Sequence, residues 1–507
     1  MGRPQRGQSL SVTIDDLAFG GEGVGRVDGY VIFVRGGIPG DRLQVRLDQA
    51  RARFGRASVE AILTPSPHRV EAPCPYFGRC GGCRLQHIDY TAQLTFKSKQ
   101  VVDALERLGG LPPIEVRPIL AAPETYGYRN KMEFTVARER QGRISSQDAA
   151  DDPQFEPKDE DVRRGLSGSA LQFEGSASGV SRGLRRTRGL SEGLTVGLHE
   201  AERYDRVLAV DRCLLQSERM NALLDEARRF FVERGLTAYE QDSGGGLLRF
   251  LMLREGRRTD EAMVNVVTSS PAVSELEPLA GRLAARVKET ASVVMNVNPK
   301  KASVAVGVEE HLLGGRDHIR ESVGGLSFQV SANSFFQTNT AQAERLFAIV
   351  LEAAALTGDE TVFDLYAGTG AISLLLAARS RWVYGVEVAQ AAVDDAARNA
   401  AANGIANCTF LAGEVRFVLP QLIAQGVTAQ VVVADPPRAG FHPKALSALA
   451  HLAPARIIYV SCNPATLARD LGDLARAGYR VEWVQPVDMF PHTPHIEAVA
   501  RLERTRT

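Results

Sequence analysis

The stretch that most restricts the fold is TVFDLYAGTGAISLLLAA, residues 361–378. It predicts a buried strand, a tight turn at Gly368 and Gly370, and a helix directly after the second glycine. From about residue 330 the chain repeats this strand–helix–strand order with short loops, as in RWVYGVEV, QVVVADPPRAG and IIYVSCNPATLARDL. Such alternation is typical of a doubly wound parallel sheet, and we predict an α/β domain of this kind over residues 329–507.

Three of the predicted strands end near a reactive or acidic residue: Glu387, Asp435 and Cys462. The carboxyl ends of parallel strands meet at one edge of a sheet, where open α/β folds bind their ligands. Glu387 can accept both hydroxyls of a ribose, which suits a dinucleotide or S-adenosylmethionine. The glycine loop lacks the G-x-G-x-x-G spacing of dinucleotide sites. An AGTG loop after a strand-end acid, here Asp364, is common in S-adenosylmethionine-dependent methyltransferases.

Cys462 and Glu497 are the candidates for chemistry. A lone cysteine is usually a small core residue, and Asp435 before two prolines also fits the cap of a rigid turn. Glu497 lies in an apolar, strand-like run, where a carboxylate is costly to bury unless it is paired or has a chemical task. A thiol and a base beside a methyl donor fit methylation at C5 of uracil, in which the thiolate first adds to C6. Methylation of an amino group requires no cysteine.

The chain resembles the RNA uridine-C5 methyltransferase family over nearly its full length. The matching segments, in the family's order, are FFQTN, DLYAGTG, GVEV, ADPPRAG, SCNPATLARDL and PHTPHIE. The resemblance implies a Rossmann-like methyltransferase domain with Cys462 as nucleophile, Glu497 as base and Phe335 near a flipped base. Some members carry Asn where this chain has Ala371. The resemblance also implies S-adenosylmethionine contacts at Gln337, Tyr366, Glu387 and Asp435.

A second group of cysteines lies in APCPYFGRCGGC, where Cys74, Cys80 and Cys83 have the spacing C-x5-C-x2-C. Three thiolates need a fourth ligand to close a zinc site or a cubane cluster, and Cys213 is an unassigned candidate. Spacing alone favours zinc. The resemblance instead implies the [4Fe–4S] cluster of the ribosomal RNA branch of the family. Six cysteines in 507 residues indicate a reducing compartment, and Cys408 is predicted to be a core residue.

Residues 8–63 read as short strands with glycine turns and predict a small β-barrel. The resemblance implies a TRAM-like, OB-like barrel over residues 1–66 that binds RNA. Its candidate side chains, which could equally pack in the core or lie on a solvated edge, are Tyr30, Phe33, Phe54, Arg51, Arg53 and Arg56.

A central α+β domain carrying the cysteine cluster is predicted over residues 67–328, and its helix near 91–110 is expected to pack on the catalytic domain. Within it, Arg129 and Lys131 could contact phosphate or pair with acids. Residues 140–195 are rich in Ser, Gly, Asp and Arg. They cannot bury enough apolar surface to offset their ordering entropy, so we predict a largely disordered insertion.

The sequence therefore predicts an enzyme that methylates C5 of a uridine in structured RNA, with 23S rRNA as the expected substrate. The alternatives are a tRNA uridine, an amino group methylated through the Asp435-Pro436-Pro437 loop, or a non-catalytic RNA-binding assembly factor. With 60 basic and 60 acidic residues, the net charge neither favours nor excludes nucleic acid. The chain shows no signal segment and no apolar run of membrane-spanning length. We expect a cytoplasmic protein without membrane contact or an obligate protein partner.

Overall fold

The structure is a computed structural model that describes residues 4–138, 193–302 and 304–505. The N-terminal strands are β1 (Ser9–Leu17), β2 (Gly23–Val27), β3 (Tyr30–Val34), β4 (Arg42–Ala50) and β5 (Phe54–Thr64). They close into a barrel in the order β1-β2-β3-β5-β4, which confirms the predicted barrel. Its interior is filled by alternating apolar side chains such as Val12, Ile32 and Leu43. Phe33 and Phe54 pack edge to face, and the Tyr30 hydroxyl donates to the Arg51 carbonyl at 3.0 Å.

The middle of the chain forms a seven-stranded sheet with helices on one face. The elements of this part of the chain, of which α1 and β6 lie outside the seven-stranded sheet, are α1 (Tyr90–Leu108), β6 (Glu115–Val116), β7 (Lys131–Arg138), β8 (Leu194–Glu200), β9 (Arg203–Ala209), α2 (Glu218–Glu233), β10 (Leu248–Gly256), β11 (Glu261–Thr268), α3 (Val273–Arg286), β12 (Thr290–Val297) and β13 (Glu309–Gly315). The strand order is β13-β12-β11-β10-β7-β8-β9. Helices α2 and α3 bury Phe230 and Leu279 in one core with Leu253 of β10.

The predicted insertion at residues 140–195 falls between β7 and β8. These two strands are direct antiparallel neighbours, with Arg138 opposite Leu194 and Ala137 opposite Thr195. Leu194 and Thr195 are therefore strand residues and not part of a disordered segment, because the ladder continues up to them. The remainder of the predicted insertion, up to residue 192, lies outside the described residues.

The C-terminal part begins with a hairpin and continues as an eight-stranded sheet. Its elements are β14 (His318–Val323), β15 (Leu326–Ser331), α4 (Thr340–Ala354), β16 (Thr361–Leu365), α5 (Ala371–Ala377), β17 (Trp382–Glu387), α6 (Gln390–Ala402), β18 (Cys408–Ala412), α7 (Val415–Ala424), β19 (Val431–Ala434), α8 (Pro443–Leu452), β20 (Arg456–Ser461), α9 (Pro464–Arg476), β21 (Tyr479–Val487) and β22 (Glu497–Arg504). The strand order is β18-β17-β16-β19-β20-β22-β21-β6.

The direction of the strands decides which residues meet at the edge of this sheet. Strands β18, β17, β16, β19 and β20 are parallel, whereas β22 runs antiparallel between β20 and β21. An antiparallel strand begins where its parallel neighbours end. Glu497, the first residue of β22, therefore lies at the same edge as Cys462, which follows β20, and Asp435, which follows β19. The order reverses between β16 and β19, where open α/β sheets bind ligands.

Elements from earlier in the chain complete the C-terminal part. Helix α1 packs along α9, where Val101 and Leu105 join the core that contains Leu471. Strand β6 extends the sheet by pairing with β21. The predicted domain boundary at residue 329 falls within β15, because the β14–β15 hairpin buries Ile319 and Phe328 in the same core as α4. No helix in the described ranges has the length and apolar character needed to cross a membrane.

Candidate active site

The thiol of Cys462 and the carboxyl of Glu497 lie on neighbouring strand ends. Ser461, directly before the thiol, is opposite Ala498 in the β20–β22 pair. Glu497 is 6% exposed, whereas Cys462 is partly accessible. The structure thus brings together the two side chains that the sequence singled out for chemistry, and Asp435 stands beside them.

Burial sets the proton affinity of this group. It raises the pKa of Cys462 to about 11, and the negative charges of Glu497 and Asp435 act in the same direction. Burial and Asp435 also hold the pKa of Glu497 well above its usual range. Burial raises the pKa of Asp435 to about 7, with a further contribution from Asp364. A cation at this edge would favour the ionised forms of all these groups.

Arg438 provides a positive charge beside the thiol. It opposes the effect of burial on the pKa of both Cys462 and Glu497. The Arg438 carbonyl accepts hydrogen bonds from Asn463 Nδ2 at 3.1 Å and Thr466 Oγ1 at 3.2 Å. Asn463 follows the thiol and also caps α9 through the Ala465 N–H at 3.0 Å. The Asp435–Arg438 loop and Cys462 are therefore fixed to each other.

His495 is the partner of the Arg438 side chain, with 3.3 Å between Nδ1 and the guanidinium. Burial, followed by the charge of Arg438, lowers the pKa of His495 to about 4, so the ring is neutral and can accept this hydrogen bond. Sequence reasoning did not assign a role to Arg438 or His495. Their position inside ADPPRAG and PHTPHIE was the available signal.

The glycine loop after β16 is tied to the end of β17. Glu387 accepts the N–H of Gly368 at 3.0 Å and that of Ala389 at 2.9 Å, one on each carboxylate oxygen. Tyr366 has a φ of 70°, in the left-handed region that few non-glycine residues adopt. A Cβ on Gly370 would lie 3.0 Å from that of Ala396 on α6, so glycine at this position allows α6 to pack closely against the loop. The glycine loop is thus held in a fixed conformation where the strand order reverses, between β16 and β19.

Phe335 and Gln337 lie on the segment between β15 and α4. The Phe335 carbonyl accepts from Thr369 Oγ1 at 3.4 Å, which places this segment against the glycine loop. The Phe335 side chain is 62% exposed, although it is large and apolar. An exposed aromatic ring next to the glycine loop is a surface on which a base can stack. Ala371 begins α5 on the other side of the same loop.

The four cysteines predicted to bind a metal centre line one cavity of about 310 Å³. Arg129, Lys131 and Thr338 line the same cavity, which is well beyond the volume of a single ion. Among the residues that the structure describes, no three His, Cys, Asp or Glu side chains are grouped to hold one metal ion. Cys408 is elsewhere, on β18, and packs against the core as predicted. The four cysteines in the cavity are Cys74, Cys80, Cys83 and Cys213.

Comparison with known proteins places this geometry in a family. Residues 307–505 match the family described as tRNA (Uracil-5-)-methyltransferase, and residues 3–59 match the TRAM domain. An RNA methyltransferase of Halalkalibacterium halodurans is 39% identical over 97% of this chain and 96% of its own length. One from Chlorobaculum tepidum is 38% identical over 99% of this chain and 98% of its own. The chain belongs to the RNA uracil-5-methyltransferase family. It is an RNA methyltransferase with an N-terminal TRAM domain.

A solved structure agrees with the methyltransferase fold. The tRNA (uracil-54, C5)-methyltransferase of Pyrococcus abyssi, in complex with S-adenosyl-L-homocysteine, superposes with a TM-score of 0.70 at 28% identity. The match covers 97% of this methyltransferase and 99% of the archaeal chain. The predicted α/β methyltransferase fold and enzyme class are therefore confirmed.

Proposed function

We propose that this enzyme transfers a methyl group from S-adenosylmethionine to C5 of a specific uridine in 23S rRNA. The observation that carries the proposal is the meeting of Cys462 and Glu497 at the sheet edge that also holds the glycine loop. Methylation of an amino group has no use for this thiol. The target uridine must leave its stack to reach Cys462, as base-modifying enzymes require.

In the proposed reaction, the Cys462 thiolate adds to C6 of the uracil ring, and the electron pair moves through C5 to the O4 enolate. C5 then attacks the methyl group of the sulfonium. The C–S bond breaks, and the demethylated donor leaves as S-adenosylhomocysteine. Glu497 removes the remaining C5 proton, and the electrons of that bond expel the Cys462 thiolate. Arg438 favours the thiolate before addition and after elimination. The proton of the Cys462 thiol leaves to solvent before addition, and the C5 proton leaves to solvent through Glu497, so the thiolate and the carboxylate are both regenerated.

We assign the donor contacts to the residues that surround the glycine loop. Each oxygen of Glu387 accepts one backbone N–H and keeps a lone pair for a ribose hydroxyl. Asp435 stands between this loop and Cys462 at the end of β19, where a sulfonium must lie to present its methyl group. The proposed contacts are Gln337, Tyr366, Glu387 and Asp435.

We further propose that the cysteine cavity holds a [4Fe–4S] cluster through Cys74, Cys80, Cys83 and Cys213. All four thiols line a cavity of about 310 Å³, which suits a cubane better than one ion. Arg129 and Lys131 in its wall can offset the negative charge of four thiolates. The cluster would tie residues 74–83 to the segment before α2. No step of methyl transfer passes through it.

The experiment that tests the proposal uses methyl-labelled S-adenosylmethionine and total RNA from a strain that lacks the gene. Label in the 23S band with wild type, and none with Cys462→Ala, would support both the chemistry and the substrate. Label in the tRNA band would favour the second candidate, a tRNA uridine, which the name of the archaeal relative suggests. No label in either band from folded, cluster-loaded protein would refute the proposal.

A further inference from the structure

Residues 331–340 carry both Phe335 and Gln337 and lead from the end of β15 at Ser331 to the start of α4 at Thr340, with no strand or helix in between. Their backbone is instead held by hydrogen bonds from other parts of the chain. The Phe335 carbonyl is bound by Thr369 of the glycine loop, as described above. Two residues of the seven-stranded central sheet and its edge bind the neighbouring carbonyls. Arg254 of β10 donates to the carbonyls of Ala332 and Ser334. Asn130, directly before β7, donates to those of Gln337 and Thr338.

Asn130, directly before β7, holds the part of the segment around Gln337. Its Nδ2 donates to the Gln337 carbonyl at 2.9 Å and to Thr340 Oγ1 at 2.9 Å. Its backbone N–H donates to the Thr338 carbonyl at 2.9 Å. Asn130 is 5% exposed, so water does not compete for these contacts. One side chain and its backbone therefore fix the chain from the Gln337 carbonyl to Thr340.

Arg254 of β10 holds the part of the segment before Phe335. Its guanidinium donates to the Ala332 carbonyl at 3.3 Å and to the Ser334 carbonyl. Arg254 is 3% exposed, and burial lowers its pKa to about 10. In the described part of the chain its hydrogen-bond partners are carbonyls, and the charges of Asp395 and Glu133 offset only part of the desolvation that lowers its pKa. A charge kept at this cost suggests a task beyond packing.

The two residues belong to one structural unit. Arg254 is opposite Lys131 in the β10–β7 pair, and the Glu255 N–H donates to the Asn130 carbonyl at 2.9 Å. Residues at the neighbouring ends of β7 and β10 therefore bind residues 331–340 at two points, one before and one after Phe335. A sheet is stiffer than a loop, so it can hold a site segment in a single geometry.

We infer that Asn130 and Arg254 are positioning residues for methyl transfer, Asn130 by orienting Gln337 toward the donor and Arg254 by orienting Phe335 toward the target base. The inference rests on the proposed function, because it assigns the donor to Gln337 and the base to Phe335. The central sheet then sets the geometry of the reaction as well as carrying the cysteine cavity.

The test compares variants in pairs. Asn130→Ala should weaken S-adenosylhomocysteine binding, measured calorimetrically, by about five- to tenfold, the worth of one hydrogen bond. In a Gln337→Ala background the same change should have no further effect, since the two residues act as one unit. A merely structural role would give the same loss in both backgrounds. Asn298→Ala is the matched control: Asn298 is buried and donates to the Val304 carbonyl at 2.7 Å, away from the segment.

Arg254→Lys keeps the charge, but the lysine side chain is one bond shorter, so its ammonium falls short of the two carbonyls that Arg254 Nη2 reaches. It should lower kcat about tenfold while leaving S-adenosylhomocysteine affinity unchanged, and this effect should vanish in a Phe335→Ala background. Arg249→Lys is the control, because Arg249 lies on the same strand, is buried and also donates to backbone carbonyls, including that of Asn298 at 2.6 Å. Hydrogen exchange of residues 331–340 should rise in Asn130→Ala and Arg254→Lys and stay unchanged in both controls.

Two outcomes separate this inference from the proposed function. If wild type binds S-adenosylhomocysteine and methylates RNA but the losses are additive, or exchange is unchanged, the positioning inference is wrong and the function stands. If wild type binds no S-adenosylhomocysteine, the proposed function fails and takes the inference with it.

Discussion

Lys97 and Asp488 form a salt bridge of 2.6 Å in which the side chains are 1% and 0% exposed. Lys97 also donates to the Phe490 carbonyl at 3.1 Å, and the Tyr90 hydroxyl donates to Asp488 Oδ2 at 2.9 Å. Helix α1 thus holds the start of the segment that leads from β21 to Glu497. Glu497, the proposed base, is positioned by a helix that lies far upstream in the sequence.

Breaking this pair should destabilise the protein strongly. Lys97→Met leaves the Asp488 carboxylate buried without its cation, at a cost of roughly 3–5 kcal/mol. Lys99→Met is the control, because Lys99 lies on the same helix but pairs with Asp16 and Asp103 in partly exposed bridges, worth about 0–1 kcal/mol. Thermal unfolding checks the difference. Equal shifts for the two variants would show that the buried bridge has no special role.

Replacement of Glu497, the proposed base, should stabilise the fold at neutral pH. The folded state holds the proton of Glu497 more tightly than the unfolded chain does, because burial raises its pKa. Wild type therefore loses stability as the pH rises above the ordinary glutamate value, whereas Glu497→Gln does not titrate. The gain in melting temperature from Glu497→Gln should grow from pH 5 to pH 8. A gain that shrinks over this range would mean that Glu497 is ionised and paired in the folded protein.

Fluorine at C5 should trap the covalent step. RNA carrying 5-fluorouridine at the target, incubated with S-adenosylmethionine, should give an adduct that survives a denaturing gel, because fluorine cannot leave as a proton. Cys462→Ala should abolish the adduct, and Cys408→Ala should retain it. Glu497→Gln should accumulate an adduct even with ordinary uridine RNA. An adduct that persists in Cys462→Ala would place the nucleophile elsewhere.

The reactivity of Cys462 toward iodoacetamide should follow its pKa of about 11. Alkylation, followed by mass spectrometry of the peptide that contains Cys462, should rise about tenfold per pH unit between pH 7 and pH 10. Arg438→Met removes the charge that favours the thiolate, so the rate at pH 8 should fall by roughly tenfold, one unit of pKa. An unchanged rate would show that Arg438 acts on the RNA instead of on the thiol.

Much of the edge of the catalytic sheet could be predicted from the sequence. Glu387, Asp435 and Cys462 follow apolar strand patterns, and parallel strands bring their carboxyl ends together whatever the rest of the chain does. Glu497 was identifiable as an acid in an apolar strand. The barrel was predictable from the close spacing of its strands and glycines.

Residues that work across domains were not predictable in this way. Lys97 lies on a helix whose pattern suggests a polar surface, and its burial becomes visible only when Asp488 is packed against it. The roles of Asn130 and Arg254 depend on contacts between the central sheet and residues 331–340, which no local periodicity encodes. Long-range packing decides such contacts, and a single sequence carries no signal for them.

The pairing of Arg138 with Leu194 has a practical consequence. The chain leaves the central sheet after Arg138 and returns to it at Leu194, directly opposite. The register of β7 and β8 therefore does not depend on what connects them. Such a connection should tolerate deletions and insertions. A two-residue Asn-Gly turn should be able to replace residues 139–193, which lie between the paired residues Arg138 and Leu194. A fluorescent or affinity module should also be accepted there, because closing a longer loop costs little extra free energy.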